Sequence, residues 1–199
     1  MIGTVSLIDD DAAVLDALTL LLSTQGISSE SFVDPREFLA QPLKAGCIVS
    51  DVRMPEFSGL DLLHALVAKH DPRPVLLLTG HGDIAMAVEA IKLGAFDFME
   101  KPFDNDHLVA VIRNALLAAA TTQKDQLQLS DLRDRFGSLT ERQSDTLKLL
   151  VRGLANKEIG QRLGISPRTV EIHRTWVMNK MGAKSLAELV RKATALGID

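Results

Sequence analysis

An aspartate pair, a lone aspartate, a hydroxyl and an ammonium each close a short apolar run in the first half of the chain. Asp9 and Asp10 follow residues 5–8, Asp51 follows the β-branched Ile48 and Val49, Thr79 follows 75–78, and Lys101 follows 96–99 with Pro102 behind it. A carboxylate in such a place can act as a nucleophile or a metal ligand, while a turn or cap aspartate is the plainer alternative for Asp51. The run Asp9-Asp10-Asp11 is harder to explain as structure. One member can cap the adjoining helix. Like charges packed together are unfavourable unless a cation compensates them, and an oxygen-only set of this kind suits magnesium.

These groups lie far apart in sequence and need a frame that gathers them. Strand-like runs at 5–8, 28–33, 47–50, 75–78 and 96–99 alternate with helix-like runs at 12–24, 35–39, 60–69, 84–93 and 107–117. Five such units predict an α/β fold, a doubly wound five-stranded parallel sheet covered on both faces. In such sheets ligands bind beyond the carboxyl ends of the strands, where all of these groups would fall. No Gly-x-Gly-x-x-Gly follows the first strand and no Gly-x-x-x-x-Gly-Lys occurs, so the two common nucleotide cradles are excluded.

Taken together and in this order, Asp9-Asp10, Asp51, Thr79 and Lys101-Pro102 resemble the receiver domain of bacterial two-component response regulators, a flavodoxin-like fold, over residues 1–120. The resemblance implies that Asp51 accepts a phosphoryl group from a sensor histidine kinase. It also implies that magnesium is held by Asp9, Asp10 and Asp51 with the backbone carbonyl of Arg53. Lys101 and Thr79 would then meet the oxygens of the phosphoryl group, Phe98 would be the switch aromatic that follows the threonine, and Lys101-Pro102 would be a cis peptide. An aspartyl phosphotransferase enzyme with a basic docking module is the rival reading. Such enzymes need a second aspartate two residues after the nucleophile, and that place is Arg53.

The net charge of −4 conceals a division: residues 1–120 hold 8 Lys and Arg against 17 Asp and Glu, whereas 121–199 hold 14 against 9. An acidic half and a basic half want different partners, and nucleic acid is the natural one for the second. The amino terminus has no basic stretch before an apolar run, and no apolar segment approaches 18 residues. A cytoplasmic protein with no membrane partner is therefore expected. Cys47, the sole cysteine, excludes an internal disulfide and suits a buried thiol.

Residues 121–138 lack proline, are rich in good helix formers and read as a helical linker. Leu129, Leu132, Phe136 and Leu139 recur at three and four residues there, as one side of a dimeric coiled coil or as packing against the next domain. Residues 139–199 then read as an all-α helix-turn-helix domain. Thr140 caps a helix, 156–163 is a shorter one, and Gly164-Ile165-Ser166-Pro167 supplies turn, cap and first helical residue of the next. Leu139-Thr140-Glu141-Arg142, Asn156-Lys157-Glu158-Ile159, Thr169-Val170, His173 and Lys180-Met181 resemble the LuxR-type DNA-binding domain. With the receiver, the chain resembles the NarL/FixJ family and its FixJ branch. Many members have lysine where this chain has Glu171, so their base preference does not carry over.

Val170, His173, Val177 and Met181 share the face expected to pack inward, which makes His173 a core residue and not a ligand. Arg168, Thr169, Glu171, Ile172 and Thr175 are left to face double-stranded promoter DNA, with Lys157 and Lys180 on phosphates; for Trp176 packing is preferred to base stacking. Eight of the ten residues 84–93 are apolar, more than a helix lying on a sheet needs, so a homodimer formed on phosphorylation is expected through this helix and the strand after it, breakable by charge at Met86 or Ala90. RNA polymerase is a further candidate partner. The function expected is a phosphorylation-controlled transcriptional regulator, with phosphorylation-independent DNA binding as the remaining alternative.

Overall fold

The computed structural model describes residues 3–80 and 84–198. It divides by compactness into Met1–Gln123 and Lys124–Asp199. The first unit runs β1 (Thr4–Ile8), α1 (Ala12–Thr24), β2 (Ser29–Phe32), α2 (Pro35–Ala40), β3 (Gly46–Asp51), α3 (Gly59–Ala68), β4 (Val75–Thr79), α4 (Ile84–Leu93) and β5 (Asp97–Glu100), and then the start of α5 (Asn105–Gly137). The strands form one parallel sheet in the order β2-β1-β3-β4-β5.

Period-two alternation divides the buried strand residues between two cores. Val5, Leu7, Val49, Leu76 and Leu78 pack with α1 and α5, whereas Ile8, Ile48, Val75 and Leu77 pack with α2, α3 and α4. Cys47 lies in the first core, and burial pushes its thiol up to about 12. Both rims of the sheet are short: β2 is a half-exposed Ser-Glu-Ser-Phe whose Glu30 pairs with Lys44, and β5 has an acid at each end.

The surplus apolar residues of α4 are resolved by this packing. Ala90 is fully buried and Met86 and Leu93 pack beside it, while Val88 and Ile91 are 46% and 49% exposed. Charge at Ala90, and to a lesser degree at Met86, would therefore break the core before any dimer, so those are the wrong positions for the test. The outward pair is Val88 and Ile91.

The second unit holds the end of α5 and α6 (Glu141–Val151), α7 (Asn156–Leu163), α8 (Pro167–Lys180) and α9 (Leu186–Ala195). The stretch read as a linker is the latter part of α5. Its Leu132 is buried among Leu147, Leu150, Ile159, Val170, Val177 and Leu189, with Phe136 and Leu139 against them, so packing accounts for every member of the repeat except Leu129.

Candidate functional site

Strand order and register gather the first group of residues. The order reverses direction between β1 and β3, which opens the crevice of a doubly wound sheet at their carboxyl ends. Ile8 pairs with Ser50, so Asp9 and Asp51 lie side by side one residue further on. Asp51 pairs with Leu78, which puts Thr79 one step beyond it, and Thr79 pairs with Glu100, which puts Lys101 one step beyond that. Local chemistry then fixes each chain. Asp11 caps α1 through Ala13 N, which leaves Asp9 to accept from Asp11 N at 3.0 Å. Asp51 Oδ2 accepts from Arg53 N at 2.6 Å. A side chain at Gly59 would put its Cβ 2.3 Å from the Asp51 carbonyl oxygen, so the start of α3 can lie against the acid's backbone only as glycine.

Asp9 and Asp51 are 3% and 8% exposed, and one cation joins them: Lys101 Nζ lies 2.9 Å from Asp9 Oδ2 and 2.6 Å from Asp51 Oδ1. Burial works against the ammonium, but the hydrogen bonds and charges of Asp51 and Asp9 outweigh it and hold the lysine pKa above its usual value. Thr79 is buried, its carbonyl accepts from Lys101 N at 2.7 Å, and Lys101-Pro102 is cis. Phe98 is half-buried against the α3–α4 core, and Asp10 and Arg53 are exposed at the mouth.

The donors at this mouth are all oxygens. Among the described residues no three His, Cys, Asp or Glu side chains are grouped to hold a metal ion. Magnesium does not need one, since it commonly takes one or two carboxylates and completes its shell with water and phosphate oxygens. The two buried carboxylates, Asp9 and Asp51, suit that need.

In the second unit Gly164 ends α7 at φ 67°, the left-handed conformation glycine adopts without strain, and Ser166 and Pro167 start α8. Val170, Val177 and Met181 are buried and His173 is half-buried, its Nδ1 without a hydrogen bond. Arg168, Ile172, Thr175 and Asn179 form the opposite stripe, all exposed, at intervals of four, three and four residues. Asn179 escaped the sequence reading although that spacing marks it. Glu171 stands beside the stripe with Asn156, Arg174 and Met178, and Lys157 is exposed near the start of α7.

Three expectations change here. Lys180 Nζ donates to Ser138 O at 2.6 Å and Gln143 Oε1 at 3.0 Å, so it ties α8 to the start of α6 before any phosphate is met. Thr169 is half-buried, its hydroxyl 2.8 Å from Ser166 Oγ, and serves the cap of its own helix. Trp176 is 55% exposed, which the expected packing does not accommodate.

A buried acid bridged by lysine at the switch point of a five-stranded parallel sheet, and a helix-turn-helix in the same chain, define a response regulator with a DNA-binding output domain. Residues 5–113 match the family described as response regulator receiver domain, and 137–193 that described as bacterial regulatory proteins, luxR family. The transcriptional regulatory protein FixJ of Bradyrhizobium diazoefficiens is 46% identical over 198 residues, 98% of this chain and 97% of that protein. The C4-dicarboxylate transport transcriptional regulatory protein DctR of Rhodobacter capsulatus is 40% identical over 94% of this chain and 98% of its own. A solved structure of the response regulator StyR superposes with a TM-score of 0.87 at 39% identity, over 96% of this chain and 98% of that one. Full-length FixJ from B. japonicum gives 0.58 at 44% identity, over 99% and 98%. The chain belongs to the LuxR-type response regulators and to their FixJ-like group.

Proposed function

We propose that Asp51 accepts a phosphoryl group from a sensor histidine kinase and that the modified chain pairs with a second copy on promoter DNA. The observation that carries this reading is the Lys101 bridge, a cation already placed between the two buried carboxylates. Asp51 Oδ1 would attack phosphorus as the nucleophile, and the bond to the donor's leaving group would break. Lys101 then offsets charge on the transferred oxygens, and the hydroxyl of Thr79, whose strand β4 pairs with β5, would bond one of them. Magnesium, held by Asp9, Asp10, Asp51 and the Arg53 carbonyl, would supply further positive charge there. The chain is its own substrate, with phosphorylation and dephosphorylation of the receiver as its only chemistry.

Lys101 follows β5 directly and Phe98 lies within it, so the site and the outward face of α4 are joined by one short strand. Exposed Val88, Ile91 and Phe96 provide the apolar face of the homodimer. Two copies present two recognition helices to two half-sites, which raises affinity without a new base contact. Arg168, Ile172 and Thr175 face bases, and Lys157 a phosphate. The working division is a receiver at 1–120, a linker at 121–138 and an output domain at 139–199. The compartment is the cytoplasm, and RNA polymerase is the partner that would read the bound dimer. Among the described residues no helix is long and apolar enough to cross a membrane.

Asp51→Asn is expected to abolish labelling by acetyl phosphate with magnesium, read by intact-mass spectrometry. A labelled variant would assign the phosphoryl group elsewhere. Val88→Asp and Ile91→Asp should keep the label and lose the phosphorylation-dependent dimer in sedimentation. Dimers that survive both changes would move the interface off α4.

A further inference from the structure

The Arg168 guanidinium donates through Nη1 to Glu171 Oε2 at 2.8 Å, and both side chains are exposed. Arg168 is the second residue of α8, and the first turn of a recognition helix is the part that approaches base edges. It lies on the outermost stripe with Ile172, Thr175 and Asn179. Glu171 does not. It stands to one side, in a cleft toward α7 lined by Asn156, Arg174 and Thr175. A carboxylate brought into a groove walled by phosphates is repelled unless a donor compensates it, and its donor here is already present on its own helix. A guanidinium has five N–H groups and guanine takes two of them at O6 and N7, so Arg168 can keep its bond to Glu171 and still read the base.

We propose that Glu171 is a positioning residue for Arg168, and that the pair reads one base pair together, guanine through the arginine, instead of two base pairs separately through guanine and cytosine. This rests on the reading of the chain as a sequence-specific DNA-binding regulator. The carboxylate holds the long arginine side chain in one arrangement before DNA arrives, so less rotamer freedom is lost on binding. An exposed pair of this kind adds little to stability, and variants at either position should fold as the parent does.

The test uses the full chain, with and without acetyl phosphate and magnesium. Selection from a random duplex library defines the preferred site, and every single-base-pair variant of that site is then titrated. Arg168→Ala should cut discrimination at one base pair by about ten- to a hundredfold. Glu171→Ala should cut it a few-fold at that same base pair, and the double variant should be no worse there than Arg168→Ala alone. Glu171→Gln, whose amide oxygen still accepts from the guanidinium, should recover part of the loss. The proposal is overturned if Glu171→Ala relaxes a different base pair, changes nothing, or multiplies with Arg168→Ala. If the parent chain selects no sequence under either condition, the DNA-binding reading itself falls.

Discussion

The receiver crevice and the recognition helix both gather charged side chains, but they hold them in opposite ways. In the crevice Asp9 and Asp51 are buried, and their charges are met by a lysine and by backbone N–H groups within the same unit. In the first turns of α8 the charges of Arg168 and Glu171 are exposed, and the pair keeps its remaining donors in water. A buried charge must be paired before its ligand comes, because leaving it unpaired is too costly to fold. An exposed one can wait for its partner. The crevice therefore carries the stability consequences of its own function, whereas the Arg168–Glu171 pair can be altered with little effect on folding.

The largest expected effect tests the buried half of that contrast. Lys101→Met removes the cation that bridges the two acids and should lower the stability of the receiver by about 3 kcal/mol in urea unfolding at neutral pH. The folded-state pKa of Lys101 is raised, so what its pairing contributes is fully present below the ordinary value of 10.5 and is lost as pH climbs through the raised one. The stability gap between parent and variant should accordingly close in the alkaline range and persist at about pH 7 to 9. A gap that stays constant through about pH 12 would mean that packing of the lysine stem, not its charge, is what matters.

Gly59→Ala should come next. Its methyl would meet the Asp51 carbonyl oxygen at 2.3 Å, so backbone must move, at about 1–3 kcal/mol. The same movement displaces the acid, so the rate of labelling by acetyl phosphate should fall along with the melting temperature. Unchanged labelling in a destabilised variant would separate the site's geometry from its support.

The smallest effect sharpens the contrast from the other side. Lys180→Ala should destabilise the output domain by about 1–2 kcal/mol, since Ser138 O and Gln143 Oε1 lose a charged donor. Lys157→Ala, exposed on α7, should leave stability unchanged and weaken binding to all DNA sequences alike, with a shallower salt dependence. Equal behaviour of the two lysines in thermal unfolding would put Lys180 back among the surface residues.

The same contrast explains what could be read in the sequence. Strands buried on both faces leave near-continuous apolar runs, so where each run ended, and hence which polar residue it presented, was visible for Asp9, Asp51, Thr79 and Lys101. Strand order and register were not, because they depend on pairing across the sheet; nor was the contact that makes Gly59 necessary. On α8 the inward face was legible from Val170, Val177 and Met181, since helical spacing alone decides it. The outward side chains were harder. Lys180 looked like a phosphate contact because its partners, Ser138 and Gln143, lie far back in the chain, before α6 and in its first turn. Trp176, for which the sequence assigned no role beyond a preference for packing, stands 55% exposed. Ala90 looked available because an alanine carries no mark of which side of α4 it faces.

The two rims of the sheet carry a consequence for solubility. An outer strand offers a row of unused N–H and C=O groups to any passing chain, and a long apolar one is a template for aggregation. Here each rim is four residues long, β2 carrying Glu30 and β5 carrying Asp97 and Glu100. An incoming strand would have to desolvate those carboxylates to continue the ladder. A protein that exposes Val88 and Ile91 on α4 can thus be concentrated without its sheets joining edge to edge.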